Sequence, residues 1–489
     1  MKLSQLISGL DILEIKGDPD IDIENIAYDS RKVCAGSLFV CIEGFISDGH
    51  QYIPQAIAAG AAAVMVQKDS DTCDAVSIKI PDTRIGLAHA SAVYFDHPSR
   101  KLKLIGITGT KGKTTAAFMT RSIFRAAGQN TGLIGTITNM ICDRVVYTSR
   151  TTPESYELQS FLDDCVRAGV ESCIMEVSSQ GLSLKRVYGC EYETGVFTNF
   201  YNDHIAPGEH DNLQEYLEAK AKLFDMARNA VVNIDADKSS VIIDRVREHP
   251  GIPLYTVGLS PDAMVRASEI ETVLSRDRIG TKFTLESPWY NGRVFVGMPG
   301  RFNIYNALCA IACAGIADIP FEAVLSGLET ITVKGRVQPV ITNRDFQVIV
   351  DYAHNAASLE NLLTTMRESV PGRLICVFGC GGDRARSRRY EMGEVSGKFA
   401  DFTVITSDNP RTEDPEAILS DIETGVKNTT GIYIKITDRT EAIRYAIMNA
   451  KSGDMVIIAG KGHENYQMFA DKTIHYDDVE VAGEILDGM

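Results

Sequence analysis

The sequence predicts an α/β protein of three domains with a largely parallel central sheet built around a phosphate-binding loop. Three observations predict it. The 489 residues exceed what one hydrophobic core organises, at ~150 residues per domain. From Lys103 an apolar strand, a glycine-rich turn and a helical run follow one another, the order strand, phosphate loop, helix. After Gly335 four apolar strands each run directly into a polar, glycine-rich or charged segment, a pattern that places ligands at the carboxyl ends of an open sheet.

Taken in chain order, the residues before position 100 form a smaller α/β unit containing DSRKVCAGSLFVCIEG and DGHQYIPQAIAAGAAAVMV, closed by the turn-rich DHPSRK. KLIGITGTKGKTT then gives the strand and loop, and AAFMTRSIFRAAG a helix ending near Gly128. Further strands are predicted in SCIMEV, TGVFTNF and AVVNID, separated by helical segments such as YELQSFLDDCVRAG. The last domain carries FQVIVDYAH, RLICVFGCGGDR, DFTVITSDNPR and DMVIIAGKGHE, whose strand ends should share one rim. Boundaries are placed near residues 100 and 335.

Composition narrows the function. Hydrophobic residues make up 44% and charged residues 23%, ordinary globular usage. A formal charge of -16 argues against a broad nucleic-acid footprint, while a local basic pocket for phosphates fits. The expected partners are small molecules. The opening MKLSQLISGLDILEIKGD puts Asp11, Glu14 and Asp18 where a signal peptide needs apolar residues, and no apolar run is long enough to span a bilayer, so a cytoplasmic protein with no membrane insertion is expected. Eleven scattered cysteines show no C-x-x-C pair and no zinc-type spacing; they read as reduced thiols, with Cys309 and Cys313 packing on one helix face.

The chemistry is concentrated in Gly109-Thr110-Lys111-Gly112-Lys113-Thr114-Thr115. Glycines let the backbone approach phosphate oxygens, amides at a helix start favour an anion, Lys113 can neutralise β/γ charge and Thr114 can hold Mg²⁺. Position 107, where a strict G-x-x-x-x-G-K-[ST] loop has its first glycine, is isoleucine, so the loop is a variant. Glu176 ends SCIMEV, where an acid can coordinate the magnesium of a nucleotide. His204 follows another strand, and a lone histidine is by default structural. Lys220 in EYLEAKAKLF reads, on its own, as a solvated helix lysine.

GTKGKTT, TTPES at 151–155, MEVSSQGL, the Asp203-His204 pair, YLEAKAKLF, GRFNIYNA at 300–307, DYAHNAASLENL, FGCGGDR, DNPR and GKGHE occur in the order seen in Mur ligases. Over nearly its whole length the chain thus resembles the Mur ligase family, and within it the MurE group that adds the third amino acid. The resemblance implies the three-domain Mur ligase architecture: residues 1–100 binding the UDP-linked substrate, 101–335 a central ATP-binding domain with a P-loop-ATPase-like parallel sheet, and 336–489 a C-terminal Rossmann-like domain binding the amino acid.

It also implies roles. Lys220 matches the family lysine that is carbamylated, which turns a cation into an oxygen ligand for Mg²⁺; with Thr114, Glu176 and His204 it forms the metal set, and Lys113, Lys220, Glu176 and His204 the catalytic set. Ser30, His50 and Gln51 match the uridine region, and Thr151, Thr152, Ser178, Arg186 and Lys220 the muramoyl-peptide positions. Asn303, Arg336, Asp351, Tyr352 and His354 match positions around ATP. Arg384, Asp408, Asn409, Pro410, Arg411, Gly460 and Glu464 match the amino-acid site, where DNPR resembles the signature of ligases selecting meso-diaminopimelate. Arg411 would read the second carboxylate and Glu464 the distal ammonium. Gln180, Gln338 and Tyr390 depart from common family residues without touching the loop or metal set.

The implied reaction is ATP-dependent amide formation on UDP-N-acetylmuramoyl-L-alanyl-D-glutamate by a monomer, through an acyl phosphate that the amine of the amino acid then attacks. Rival readings are the same ligase adding L-lysine, a folylpolyglutamate-type ligase, and a nucleotide-gated binding protein in which the loop is only a switch. Omitting each cosubstrate in turn from a phosphate-release assay separates them.

Overall fold

Short strands upstream of residue 100 assemble a five-stranded sheet from β1 (Glu14–Lys16), β2 (Asn25–Ala27), β3 (Ser37–Val40), β4 (Ala61–Val66) and β5 (Val76–Lys79). Their order is β1-β5-β4-β3-β2, with the β1–β5 pair antiparallel and the others parallel. β3 is buried at every position while β1 is exposed at every position, the contrast expected of an inner and an edge strand.

The molecule is seen as a computed structural model that describes residues 1–45, 47–73, 75–147, 150–202, 205, 209–274, 279–368 and 370–489. The chain divides into two compact units, one of Met1–Arg266, Glu286–Tyr290 and Tyr305–Gly327, the other of Ala267–Leu285, Asn291–Ile304 and Leu328–Met489.

The first unit also holds the central sheet: β6 (Lys103–Thr108), β7 (Thr131–Ile134), β8 (Asn139–Ile141), β9 (Arg144–Val146), β10 (Ser172–Glu176), β11 (Thr194–Phe197), β12 (Ala230–Asn233) and β13 (Leu254–Gly258). The order runs β13-β12-β11-β6-β10-β7-β8-β9, parallel from β13 to β7 and antiparallel at the β7-β8-β9 end. β6 is covered on both faces, with Leu104, Ile105 and Ile107 at most 2% exposed, which explains its unbroken apolar run. Ile107, the departure from a strict phosphate loop, is a core residue of this strand. The chain leaves β6 toward β7 and β10 on one side and later reaches β11 and β12 on the other. The loop after β6 therefore sits where the strand order reverses, the crevice in which open sheets bind ligands.

Strands β14 (Val265–Leu274), β15 (Ile279–Glu286) and β16 (Asn291–Val296) come next in sequence. The second parallel sheet follows, from β17 (Gln338–Val340), β18 (Gln347–Asp351), β19 (Leu374–Phe378), β20 (Phe402–Ile405), β21 (Tyr433–Lys435) and β22 (Met455–Ala459), ordered β17-β18-β22-β19-β20-β21. Only the β17–β18 pair is antiparallel. Asp351 pairs with Ala459 and Phe378 with Ile405, so the carboxyl ends of β18, β22, β19 and β20 lie on one rim, as the four strand-to-loop transitions predict. An ion pair fully removed from solvent fixes that rim. Arg439 and Asp478, both 0% exposed, meet at 2.7 Å, and Arg439 also donates to the carbonyls of Ser407 at 3.3 Å and Ala459 at 3.1 Å. Removing either partner would strand a buried charge at a cost of about 3–5 kcal/mol.

No helix among the described residues is long and apolar enough to cross a membrane. All eleven cysteines are free thiols. Cys309 and Cys313 are buried on the helix Arg301–Ile316, and burial pushes Cys309 up to about 12, which keeps it protonated and inert.

Candidate active site

The phosphate loop joins β6 to the helix Lys113–Ala126. Gly109 has φ +145° and Gly112, the helix N-cap, φ +81°, conformations that L side chains rarely adopt. Space is closed as well. A Cβ on Gly109 would lie 2.0 Å from Thr198 Oγ1, and one on Gly112 2.3 Å from Asn306 Oδ1.

The segment after β11 clamps the loop. Thr110 N donates to Asn199 O at 3.0 Å, Lys111 N to Asn199 Oδ1 at 2.8 Å, and Thr198 Oγ1 to Lys111 O at 2.7 Å. Asn233 Nδ2, from β12, anchors Thr198 O at 2.8 Å. Thr110 Oγ1 accepts from Tyr201 N and from the Tyr216 hydroxyl, each at 3.1 Å. Thr114 and Thr115, in the first turn of the helix, are 6% and 5% exposed.

Two lysines converge on one carbonyl. Lys113 Nζ donates to Gly109 O at 2.8 Å and to Thr110 O at 3.1 Å, and Lys220 Nζ donates to Gly109 O at 3.0 Å. Lys220 is 1% exposed and lies 4.1 Å from the centre of the Tyr216 ring. The solvated helix lysine read from the residue alone is thus corrected. The helix Leu213–Ala221, capped by Asn212 Oδ1 accepting from Glu215 N at 2.9 Å, turns Lys220 inward.

Glu176 ends β10 at 1% exposure. Its Oε2 accepts from Thr114 Oγ1 at 2.9 Å and Thr136 Oγ1 at 3.1 Å, and its Oε1 from Thr136 N at 2.8 Å. Among the described residues no three His, Cys, Asp or Glu side chains gather into a metal cluster. The adjacent Thr114 and Glu176 oxygens nevertheless suit Mg²⁺, a hard cation that takes one or two carboxylates and completes its shell with water and substrate phosphates. His204 and its neighbour Asp203 lie outside the described residues.

The substrate-assigned residues continue from this carboxylate. Thr151 Oγ1 is 2.9 Å from Thr136 Oγ1, Thr152 Oγ1 donates to Glu176 O at 3.0 Å and accepts from Ser178 N at 2.9 Å, and Arg186 Nη1 donates to Thr152 O at 3.3 Å. Glu176, Thr151, Thr152, Ser178 and Arg186 are thus one network beside the phosphate loop.

The remaining first-unit residues lie elsewhere. Ser30 Oγ donates to Gln55 Oε1 at 3.1 Å, and Gln51 is exposed. His50 is buried with Nδ1 2.6 Å from Asp48 Oδ1, while its Nε2 accepts from Gln67 N at 3.2 Å. Both ring nitrogens of His50 are thus engaged within the first unit.

In the second unit, Asp351 at the end of β18 accepts from Val337 N and Ala353 N, both at 2.8 Å. Burial raises its carboxyl above the usual range despite those amides and the Arg336 charge. The Arg336 guanidinium lies 4.8 Å from the Tyr352 ring centre, and the His354 and His463 rings lie 4.5 and 4.6 Å from Tyr352. Asn303, 0% exposed, donates to Pro299 O at 2.8 Å. Gln338 keeps the acceptor that glutamate would provide, taking Gly335 N at 2.8 Å. Tyr390 donates to Asp421 at 3.2 Å.

Burial, then the charges of Arg336, Lys334 and His354, hold His463 down to about 4. The unfolded chain takes up this proton near 6.5, so the stability contributed by the neutral imidazole is full above pH 6.5 and is lost as pH falls toward 4. Urea unfolding at pH 7 and pH 5 should show a larger acid-side loss for the native sequence than for His463→Gln. Equal losses would assign the acid sensitivity to another group.

The loops after β19, β20 and β22 lace together. Asn409 Nδ2 donates to Glu464 Oε2 at 2.8 Å, Lys461 Nζ to Asn409 Oδ1 at 3.1 Å, and Gly382 N to Asn409 O at 2.9 Å. Arg411, at φ +54°, donates from Nη1 to Gly382 O at 2.9 Å, and its amide donates to Met468 O at 3.0 Å. Asp408, Asn409 and Pro410 are buried and Arg384 is exposed. Gly460 is required at φ +111°, because a Cβ there would meet Asp408 Oδ2 at 2.8 Å. Burial and the nearby Asp408 raise the Glu464 carboxyl, against the opposing pull of Lys461.

Sequence reasoning passed over Lys461, which is 0% exposed although it stands between the selected Gly460 and Glu464. It also passed over Arg439, whose position in a helix gives no hint of its buried partner Asp478.

Three family models match in succession: "Mur ligase family, catalytic domain" over residues 22–111, "Mur ligase middle domain" over 107–314 and "Mur ligase, glutamate ligase domain" over 335–462. The chain is 46% identical to a UDP-N-acetylmuramoyl-L-alanyl-D-glutamate-2,6-diaminopimelate ligase of Alkaliphilus metalliredigens, covering 99% of this chain and 97% of that protein. With the ligase of the same name from Clostridioides difficile it is 41% identical over 100% of both. A solved structure of a ligase of that name superposes with a TM-score of 0.75 at 30% identity, covering 100% of this chain and 99% of the other. A phosphate loop at a switch point, an inward lysine beside it and a second sheet whose strand-end loops share one rim are accordingly features of a chain that belongs to the Mur ligase family.

Proposed function

We propose that this chain is an ATP-dependent ligase of peptidoglycan synthesis that joins meso-diaminopimelate to the D-glutamyl γ-carboxylate of UDP-N-acetylmuramoyl-L-alanyl-D-glutamate. The observation that carries the reading is the convergence of Lys113 and Lys220 on Gly109 O beside the Thr114–Glu176 pair. Ammonium groups at a glycine-rich loop that opens a helix suit the anionic phosphates of a nucleotide. Full-length identity to ligases bearing the diaminopimelate name supports the substrate assignment.

The division of labour is residues 1–100 for the UDP moiety, 101–335 for ATP and 336–489 for the amino acid. Gly109 to Thr115 hold the triphosphate, and Lys113 offsets charge on the transferring phosphoryl group. Asn303, Arg336, Asp351, Tyr352 and His354 bind the rest of ATP. Thr151, Thr152, Ser178 and Arg186 present the acceptor carboxylate, while Ser30, His50 and Gln51 bound the uridine end. Mg²⁺, when held by Thr114, Glu176, His204 and carbamylated Lys220, supplies charge compensation between the two anionic reactants. The carboxylate attacks the γ-phosphorus, ADP departs, and the amine of the incoming amino acid displaces phosphate from the acyl group. Carbamylation gives Lys220 a negative charge and oxygen atoms suited to a hard cation. ATP and a UDP-linked acceptor place the reaction in the cytoplasm, and a monomer suffices for it.

Arg384, Asp408, Asn409, Pro410, Arg411, Gly460 and Glu464 select the amino acid. Arg411 reads the carboxylate that L-lysine lacks, since a guanidinium can bind a carboxylate through two parallel hydrogen bonds. The native protein, given ATP and the muramoyl-dipeptide nucleotide, is expected to use meso-diaminopimelate and to use L-lysine poorly. Arg411→Ala should lower kcat/KM for meso-diaminopimelate about a hundredfold. Equal use of both amino acids, or an unimpaired variant, would remove Arg411 from this role.

A further inference from the structure

The loops that follow β19 and β20 leave neighbouring parallel strands, Phe378 beside Ile405, and they carry Arg384 and Arg411. Each loop holds a residue with a side chain in the left-handed region, Asp383 at φ +55° next to Arg384 and Arg411 itself at φ +54°. That backbone is disfavoured for L side chains, for arginine more than for aspartate, and persists where the surroundings over-determine it. Bonds between the loops do so. Gly382 N donates to Asn409 O, and Arg411 Nη1 donates to Gly382 O, both at 2.9 Å. Asp383 Oδ1 accepts from Thr412 Oγ1 at 2.6 Å, and the Asp383 amide donates to Glu413 Oε1 at 2.5 Å. A Cβ on Gly382 would lie 1.9 Å from Pro410 O, so the two loops are packed as well as bonded.

Behind them stands Arg389, 1% exposed, on the helix Ser387–Phe399. Its Nη2 donates to the same Glu413 Oε1 at 2.7 Å, and its Nη1 donates at 2.9 Å to Asp421 Oδ2 on the helix Pro415–Lys427. The Arg389 guanidinium is thus engaged by two protein carboxylates, whereas Arg384 is exposed. The Arg389 hydrogen bond, then the Asp383 amide, hold the Glu413 carboxyl below its usual range. One carboxylate oxygen therefore ties a buried cation to the peptide group of the turn that presents Arg384.

We propose that Glu413 and Arg389 are positioning residues of the amino-acid site: Glu413, held by Arg389, fixes the turn at Asp383 against the Asn409–Arg411 loop and so sets where Arg384 and Arg411 stand relative to each other. Neither residue touches the amino acid. The inference rests on the proposed diaminopimelate reading, in which Arg411 binds the carboxylate that L-lysine lacks. A guanidinium that binds a carboxylate through two parallel bonds has to be held to within about 0.5 Å of its productive place. Loss of the Glu413 bonds frees the Asp383 turn, and Gly382, the other side of that turn, is the carbonyl on which Arg411 rests.

Steady-state kinetics on the full chain, with each of the three substrates varied in turn beside a thermal melt, tests this. Glu413→Ala should raise KM for meso-diaminopimelate by about tenfold to a hundredfold, the scale on which a displacement of about 1 Å acts. KM for ATP and for UDP-N-acetylmuramoyl-L-alanyl-D-glutamate should stay within about twofold, a split that general loosening of the fold would not give. The preference for meso-diaminopimelate over L-lysine should fall with it, because the displaced Arg411 serves the carboxylate that L-lysine lacks. Glu413→Gln keeps an acceptor for the Asp383 amide without the charge facing Arg389, and Arg389→Lys keeps the charge without the fork. Each should give a smaller rise in the same KM, and each serves if the alanine variant does not fold. The Glu413→Gln and Arg389→Lys effects should be non-additive when combined, as for residues that act through one contact. Native protein that uses meso-diaminopimelate, with variants that leave its KM unchanged or raise all three KM values alike, would overturn the positioning role alone. Native protein that does not use meso-diaminopimelate would overturn the proposed substrate and the positioning role together.

Discussion

Lys113→Ala is expected to reduce turnover about a thousandfold or more, the scale on which removing one preorganised charge-stabilising donor acts. Lys113 begins the helix Lys113–Ala126, and its ammonium rests on the carbonyls of Gly109 and Thr110. Those bonds are made within its own loop, so losing them should change stability by no more than about 0.5 kcal/mol, as at an ordinary half-exposed position. What the variant loses is charge at the point where a γ-phosphoryl group would sit. Phosphate release measured with all three substrates, beside a thermal melt, checks this. Near-native turnover in a correctly folded variant would remove the phosphate-loop assignment.

Lys220→Ala should be inactive for a different reason, and its inactivity should be partly reversible. The native side chain is buried against Tyr216 and reaches the same Gly109 carbonyl as Lys113. As a carbamate it would offer oxygens to a hard cation; as alanine it leaves a cavity of similar shape beside the loop. A short carboxylic acid such as formate or acetate fits that space and supplies the missing oxygens, so activity should rise with its concentration by about tenfold over the unaided variant, out of a total loss of about a thousandfold. Intact-protein mass spectrometry of the native chain in bicarbonate should show the added carbamate. A native-like rate for Lys220→Ala, or no rescue by any short acid in a folded variant, would return Lys220 to a packing role.

Local sequence determined most of the framework. Apolar runs in KLIGIT and SCIME announced strands of a largely parallel sheet, and they are β6 and β10, paired in parallel. Glycines at 109 and 112 announced a turn where the backbone could approach phosphate oxygens, and the structure adds that positive φ and closed space require glycine at both. The four strand-to-loop transitions after Gly335 announced a shared rim, because a parallel sheet sends every strand's carboxyl end the same way; the register of β18, β22, β19 and β20 puts them there.

Tertiary structure decided the rest, for a physical reason that recurs. Whether a polar side chain is solvated or buried depends on what packs over it, and that is a relation between segments far apart in sequence. YLEAKAKLF by itself has the pattern of a solvated helix, yet Lys220 faces Gly109, 111 residues away. Nothing around Arg84 in DTRIGLA or Glu154 in TTPES reveals that their charges meet, because that contact exists only once the helix Thr83–Tyr94 lies against the helix Ser155–Arg167. Lys461 and Arg439 are loop and helix residues whose burial comes from Asn409, Glu464 and Asp478. The sequence by itself determined the strands, the phosphate loop and the rim, since these depend on backbone geometry and local hydrophobic pattern. Only the tertiary structure decided which charges are taken out of water and paired, since the energy of a buried charge is set by neighbours that the local sequence does not contain.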